Sequence, residues 1–359
     1  MSATIDVGKM RFSLFGRGYE DTRKDSGEGE IIQIVEPPIK GTSAIIDETK
    51  QYVWAVNGAN VQPVFKYDIS DLEDWQDEGQ TIITAKGGHL DHPQNVDNNY
   101  GLHFSYPDTS TWEVTITVFD LTDDTVYYTF TESDNQFVGS FYGNNCDCIL
   151  VDDKIYVASY ALNFYLVCID LTLGTLTFTR FDNEYFYGFI NDELMLTSNN
   201  PVWFSDTLAQ YGEKFDGTKV WTVLGVEPHT AYHTYVSKSA ICANNFMYFP
   251  TFRGGHWRIA KYKGWTAPTF DPIPHYSADF GKFEGNVNEG SDIRDKAYDD
   301  ERKGCAFLYG YSLYYTEDYK DLMQLAKAEV YTDALYPMAL KGDLIVTRDV
   351  FNKIVAFIL

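Results

Sequence analysis

Apolar residues along this chain come in short runs separated by polar turns, and many of the runs alternate. Tyr165–Phe181, "YLVCIDLTLGTLTFTRF", and Val114–Phe130, "VTITVFDLTDDTVYYTF", share one layout: a strand-like apolar run, an Asp-Leu-Thr turn, then a second strand-like run. Alternation of this kind predicts half-buried β-strands joined as a hairpin. In each turn the aspartate is placed to accept bonds from the turn's own backbone N–H groups. Helical periodicity is nearly absent. Lys320–Val330, "KDLMQLAKAEV", places Leu322, Leu325 and Ala326 on one helical face, and the same segment also reads as a hairpin arm.

The hairpins recur. A strand rich in Tyr, Val or Phe appears as "QYVWAV", "GLHFSY", "KIYVASY", "ELMLTS", "FMYFPTF", "CAFLYG" and "DLIVTRDV", most of them after a short turn of Asp, Asn or Lys. A further strand follows each. Repetition at roughly 40–60 residues predicts a β-propeller, built from small antiparallel sheets around a channel. The fold class is therefore all-β, a single β-propeller domain over residues 1–359 with seven blades, six being the alternative because the unit after Gly304 is irregular. The chain ends on "KIVAFIL", which leaves its last unit without an outer strand. An N-terminal strand is expected to complete that C-terminal blade and remove the exposed edge, and residues 9–16, "KMRFSLFG", are the segment assigned to it. Residues 18–30 read as a polar loop, 85–100 as a connector and 281–303 as a long inter-blade loop, all three suited to docking neighbouring subunits.

Composition narrows the function classes. A formal net charge of −24 disfavours direct nucleic-acid binding, which requires clustered Lys and Arg, and also disfavours anionic membrane surfaces. No run of about 18 apolar residues predicts membrane insertion, and the N-terminus lacks a basic-then-apolar signal pattern. Five cysteines, Cys146, Cys148, Cys168, Cys242 and Cys305, read as reduced thiols.

Candidate chemistry is sparse. "TFRGGHWRIAKYKGW" is the one locally basic, aromatic-interleaved stretch, and Arg253, His256, Trp257 and Arg258 at its turn are the candidate ligand or interface residues, suited to a sugar ring or an acidic neighbour. His89, Asp91 and His92 in "GGHLDHPQN" have two-ligand spacing, but flanking glycines and Pro93 favour a loop, and no metal site is assigned. Glu227, His229 and His233 read as an inter-blade loop. No nucleophile elbow, phosphate loop or calcium loop is present, so no catalytic residue and no cofactor is expected.

Two of the hairpins resemble the Asp-box repeats of sialidase-like propellers, Ser/Thr-x-Asp-x-Gly-x-x-Trp. "TEDYKDLM" supplies Thr316 and Asp318, with Lys320 and Met323 at the Gly and Trp places, and Ser205, Asp216, Gly217 and Trp221 form a second, interrupted copy. The resemblance implies propeller architecture. It does not extend to sialidase chemistry, because "MRFSL" lacks the proline of the Phe-Arg-x-Pro motif and the chain has only nine arginines. In overall character the chain is similar to the acidic, Tyr-rich propellers of phage tail nozzles, hubs and adaptors. That likeness implies a non-enzymatic virion assembly protein, assembled in the host cytoplasm, whose partners are other protein subunits. A cytoplasmic protein is the alternative location, and a glycan-binding propeller or glycoside hydrolase the alternative function.

Overall fold

The computed structural model describes residues 11–14, 17–20, 31–56, 64–82, 88–92, 99–105, 113–133, 146–159, 163–198, 209–224, 241–243, 246–253, 256–263, 275–279, 293–299, 302–317, 323–328 and 330–359. Nearly every element among them is a strand. β1 (Arg11–Leu14) and β2 (Arg17–Glu20) form a two-stranded ribbon, and β3 (Gln33–Val35) follows. Then come β4 (Ser43–Ile46), β5 (Tyr52–Val56), β6 (Val64–Asp68) and β7 (Gln76–Ile82). The next sheet holds β8 (Gly88–Asp91), β9 (Tyr100–Ser105), β10 (Val114–Asp120) and β11 (Val126–Glu132). It is followed by β12 (Cys146–Val151), β13 (Lys154–Ser159), β14 (Tyr165–Asp170) and β15 (Thr175–Arg180). β16 (Tyr185–Phe189), β17 (Leu194–Ser198), β18 (Ala209–Lys214) and β19 (Lys219–Leu224) make another. β20 (Ile241–Ala243), β21 (Phe246–Arg253), β22 (His256–Lys263) and β23 (His275–Asp279) continue the series. β24 (Ile293–Tyr298), β25 (Cys305–Tyr309), β26 (Ser312–Thr316) and β27 (Met323–Ala326) precede β28 (Tyr336–Lys341), β29 (Leu344–Arg348) and β30 (Ile354–Ile358).

These strands pair into seven four-stranded antiparallel sheets, each in simple up-and-down order. The first strands of successive sheets lie side by side, β24 against β28, β28 against β4, β4 against β8, and β12 and β20 on either side of β16. The molecule is an all-β single propeller, with the first strand of each sheet facing the channel. Apolar seams hold neighbouring sheets together. Leu102, Phe104 and Val118 meet Val157 and Val167 between two of them, and Phe164, Phe181, Phe186 and Phe189 fill the next seam. Phe164 and Phe181 are stacked at 4.6 Å. Burying a side chain of this size contributes about 1.5–3 kcal/mol.

The two Asp-Leu-Thr turns join the third and fourth strands of their sheets. Asp120 accepts the Thr122 N–H at 2.6 Å, and Asp170 accepts those of Thr172 and Leu173 at 3.1 and 2.9 Å. They also contact the preceding sheet. Asp124, at φ 61°, accepts the Trp54 indole N–H at 2.7 Å and pairs with Lys66 at 3.1 Å. One sheet further on, the Tyr128 hydroxyl donates to the Leu171 carbonyl at 2.7 Å. Gly174, at φ 63°, lies so close to the Tyr128 ring that a Cβ there would come within 2.6 Å of it. The repeated hairpin thus carries an inter-sheet fastening.

Several boundaries differ from expectation. A strand from the opposite terminus does complete the last sheet, in the order β28-β29-β30-β3, but it is Gln33–Val35 and not residues 9–16. Arg11–Leu14 pairs with Arg17–Glu20 instead. The reason is proximity and burial: β3 is joined to β4 by a short connection, Ile31 and Val35 are buried, and Ile32 donates its N–H to the Ile358 carbonyl at 2.8 Å. Residues 18–20 of the expected 18–30 loop belong to β2, and 21–30 lie outside the described residues. The 85–100 connector contains the channel-facing strand β8, and the 281–303 loop contains β24. Alternation in these short strands is interrupted by charges, which hid them. Within Lys320–Val330, Met323–Ala326 is a strand, in keeping with the hairpin-arm reading of that segment.

The closing strand makes a direct prediction. Deleting residues 2–20 leaves the thermal unfolding midpoint close to that of the full chain. Deleting 2–36 removes the partner of β30 and lowers it sharply, as read by circular dichroism.

Candidate functional site: the axial channel

The channel-facing strands should carry the least charge, yet "CDCILV" sets Asp147 on β12 and "IRDKAY" sets Lys296 on β24. The β24–β25 turn explains why. Asp299 accepts the N–H groups of Lys303 and Gly304 at 2.7 and 2.8 Å, and this fold of the turn places Arg302 at φ 51°. A left-handed conformation is uncommon for an arginine. Here it accompanies a guanidinium directed into the channel, where Arg302 is only 5% exposed.

Arg302 reaches three other sheets. One terminal nitrogen donates to the carbonyls of Phe189 on β16 and Cys242 on β20, both at 3.1 Å. The other pairs with the Asp147 carboxylate and donates to the Cys148 carbonyl at 3.2 Å. Its guanidinium lies 4.5 Å from the Tyr298 ring centre, on β24. A group touching the first strands of four sheets sits between them on the axis. Asp147 also accepts the Phe189 N–H at 3.3 Å, and the Tyr298 hydroxyl accepts the Cys242 N–H at 3.0 Å. Lys296 donates to the Tyr187 carbonyl at 3.4 Å. Gly188, at φ 152°, lets β16 approach β20, since a Cβ there would stand 3.0 Å from that of Cys242.

The electrostatics follow from burial. Desolvation holds the Lys296 ammonium below the usual lysine range and pushes the Cys242 thiol up to about 12, with Cys305 also raised. Raised thiols at this depth are poor nucleophiles. What this cluster does is tie the channel-side strands of four successive sheets, β12, β16, β20 and β24, together.

A second buried polar group lies outside the channel. Glu213 on β18, 2% exposed, accepts the Thr197 hydroxyl at 2.6 Å. Glu184 beside it pairs with Lys219 on β19 at 2.5 Å, while its other oxygen is buried without a hydrogen-bond partner. Burial first, then the neighbouring Glu184, raises Glu213 to about 7. Protonation of Glu213 places a donor beside that oxygen.

The residues singled out from sequence lie elsewhere. Arg253 pairs with His256, Phe252 with Trp257 and Thr251 with Arg258 at the turn end of the β21–β22 hairpin. That turn joins a second strand to a third, so it lies at the opposite end of its sheet from first-to-second turns such as the one bearing Arg302. His89 and His92 do not converge: His89 stacks on Phe104 with its Nε2 3.1 Å from the Cys146 sulfur, and His92 Nδ1 lies 2.9 Å from the Tyr100 carbonyl oxygen. Glu227, His229 and His233 lie outside the described residues. The axial residues were missed because their contacts span long separations along the chain, 155 positions for Asp147–Arg302 and 56 for Cys242–Tyr298. The one local signal was a charge inside an apolar strand.

Neither the protein-family profiles nor the curated proteins contain a match to this chain. Solved structures do. An uncharacterized protein from Listeria monocytogenes EGD-e superposes with a TM-score of 0.52 at 12% identity, covering 89% of this chain and 92% of that one. The WD40 repeats of RRP9 superpose with a TM-score of 0.50 at 11% identity, covering 90% and 95%. At these identities the likeness establishes the fold alone, a propeller.

Two outcomes are expected. Arg302→Met leaves Asp147 buried without its partner, at a cost of about 3–5 kcal/mol in urea unfolding. For Glu213 the folded-state value lies above the unfolded one, so its contribution to stability is complete below pH 4.5 and lost as pH rises through about 7. Glu213→Gln should therefore flatten the stability profile across that window. Above pH 7 it should make the protein more stable than the wild type by about 2–3 kcal/mol, measured by urea unfolding at each pH.

Proposed function

We propose that this protein is a non-enzymatic assembly component whose seven sheets close as the seven blades of one ring, and that it serves in a phage virion tail as a nozzle, hub or adaptor. The observation that carries the reading is the axis itself. Arg302, Asp147, Cys242 and Tyr298 are buried there and bonded to one another or to surrounding backbone. A propeller built this way is a stiff disc that offers its two faces and its rim to partners. The acidic balance of the chain keeps such a disc soluble and makes it a poor ligand for nucleic acid, which suits a part over which DNA passes. The Asp216–Gly217 turn, with the Thr218 N–H donated to Asp216 at 2.9 Å, supports the Asp-box resemblance as a feature of architecture.

Docking rests on fewer segments than the sequence reading supposed. Of the 281–303 stretch, Ile293–Tyr298 and Arg302 belong to the disc, so partner contacts fall to the faces and outer strands. Among the described residues, exposed large apolar side chains lie on three adjacent outer hairpins, at Val126 and Tyr127, at Leu173 and Phe178, and at Val220, and also at Ile32, Val330, Tyr331 and Phe351. Outer edge strands with such residues invite pairing with another chain.

The test is the solution mass of the full chain by light scattering, alone and mixed with extract of its source. A closed ring or a stoichiometric co-complex is expected. A monomer in both conditions, together with saturable sugar binding lost on Trp257→Ala, would replace this reading with a glycan-binding one.

A further inference from the structure

Three features of the described residues are left over from the reading above: the Glu184–Glu213 pair, the buried ring of His103, and a close contact between a thiol and an imidazole. The third carries the most chemistry. β8 and β12 are the channel-side strands of adjacent sheets, and each begins at the same end of the disc. His89 is the second residue of β8 and Cys146 the first of β12. Their Nε2 and Sγ atoms are 3.1 Å apart.

The surroundings fix this geometry. His89 is 2% exposed and lies parallel to Phe104 with ring centres 4.5 Å apart, so the imidazole cannot turn freely. Cys146 is partly exposed and packs against the seam formed by Leu102, Phe104 and Val157. A thiol held against an imidazole can pass it the proton, and the thiolate is the nucleophilic form. The other four cysteines differ. Cys148, Cys242 and Cys305 are buried, and Cys168 is partly exposed, with burial raising its thiol while Tyr156 and Lys154 act in the opposite direction.

We propose that Cys146 and His89 form a reactive thiol–imidazole pair that takes up a low-molecular-weight disulfide as a mixed disulfide. Cys146 passes its proton to His89, and the thiolate attacks one sulfur of the disulfide. The new bond joins Cys146 to that sulfur as the original S–S bond breaks. The departing thiolate leaves with the electron pair and takes the proton from His89. One thiol and one disulfide give one mixed disulfide and one small thiol, with no other oxidant. This inference is independent of the assembly role.

The experiment uses the full-length folded chain and glutathione disulfide, with iodoacetamide as a second probe, and reads each cysteine by peptide mass spectrometry at pH 6.5. Cys146 is expected to react at least about tenfold faster than Cys168. His89→Gln should slow Cys146 by about threefold to tenfold. The thermal midpoint of that variant is measured alongside, with His89→Asn replacing it if it does not fold. Cys146→Ser should abolish the fast phase and leave slow labelling of Cys168. Equal rates at Cys146 and Cys168 would overturn the proposal. So would a Cys146 rate unchanged by a folded His89 variant, because exposure alone would then account for it.

Discussion

A guanidinium taken out of water must find an acceptor for its N–H groups and a counter-charge, or the fold loses several kcal/mol. In this propeller those acceptors come from different sheets: carbonyls on β16, β20 and β12, and the Asp147 carboxylate on β12, all meeting an arginine from the β24–β25 turn. The requirement works in both directions. The arginine is tolerable only if the sheets converge, and sheets that converge leave an axis that a long planar donor can fill. Neighbouring blades otherwise meet through apolar seams, which are non-directional, and through the fastenings of the outer turns. Directional bonds to blades that are not adjacent fix how the ring closes.

The rim is held differently. The Asp-Leu-Thr turns satisfy their own backbone through Asp120 and Asp170, and they also serve the sheet before them through Asp124 and Leu171. A turn that is locally self-satisfied keeps its shape without its neighbour, so it can act as a preformed socket for Trp54 or Tyr128. The molecule thus combines a polar axis, apolar seams and polar fastenings near the turns.

Much of this was legible in the sequence, for identifiable reasons. β10 opens on clean alternation, β14 is a short apolar run, and both end on a recognisable turn, so the hairpin repeat and the propeller follow from local pattern. The need for an N-terminal closing strand followed from the apolar run at the C-terminus. Its identity did not, because Gln33–Val35 is only three residues long and Arg11–Leu14 alternates equally well. β24 was hidden inside a polar stretch because Arg294, Asp295 and Lys296 interrupt it. The axial ion pair and the Cys146–His89 contact join residues 155 and 57 positions apart, and no spacing rule reaches that far.

A propeller with a locked axis is suited to bearing load or presenting fixed faces, and this is the physical ground of the assembly reading. The coupling between Arg302 and Asp147 in a double-mutant cycle tests that ground most directly, with Arg302→Met, Asp147→Leu and the double variant compared by urea unfolding. The account predicts strongly non-additive losses, with the double variant recovering at least about 2 kcal/mol relative to the sum of the singles. Additive losses would mean that the two residues do not depend on each other, and that the axis is not what holds the ring.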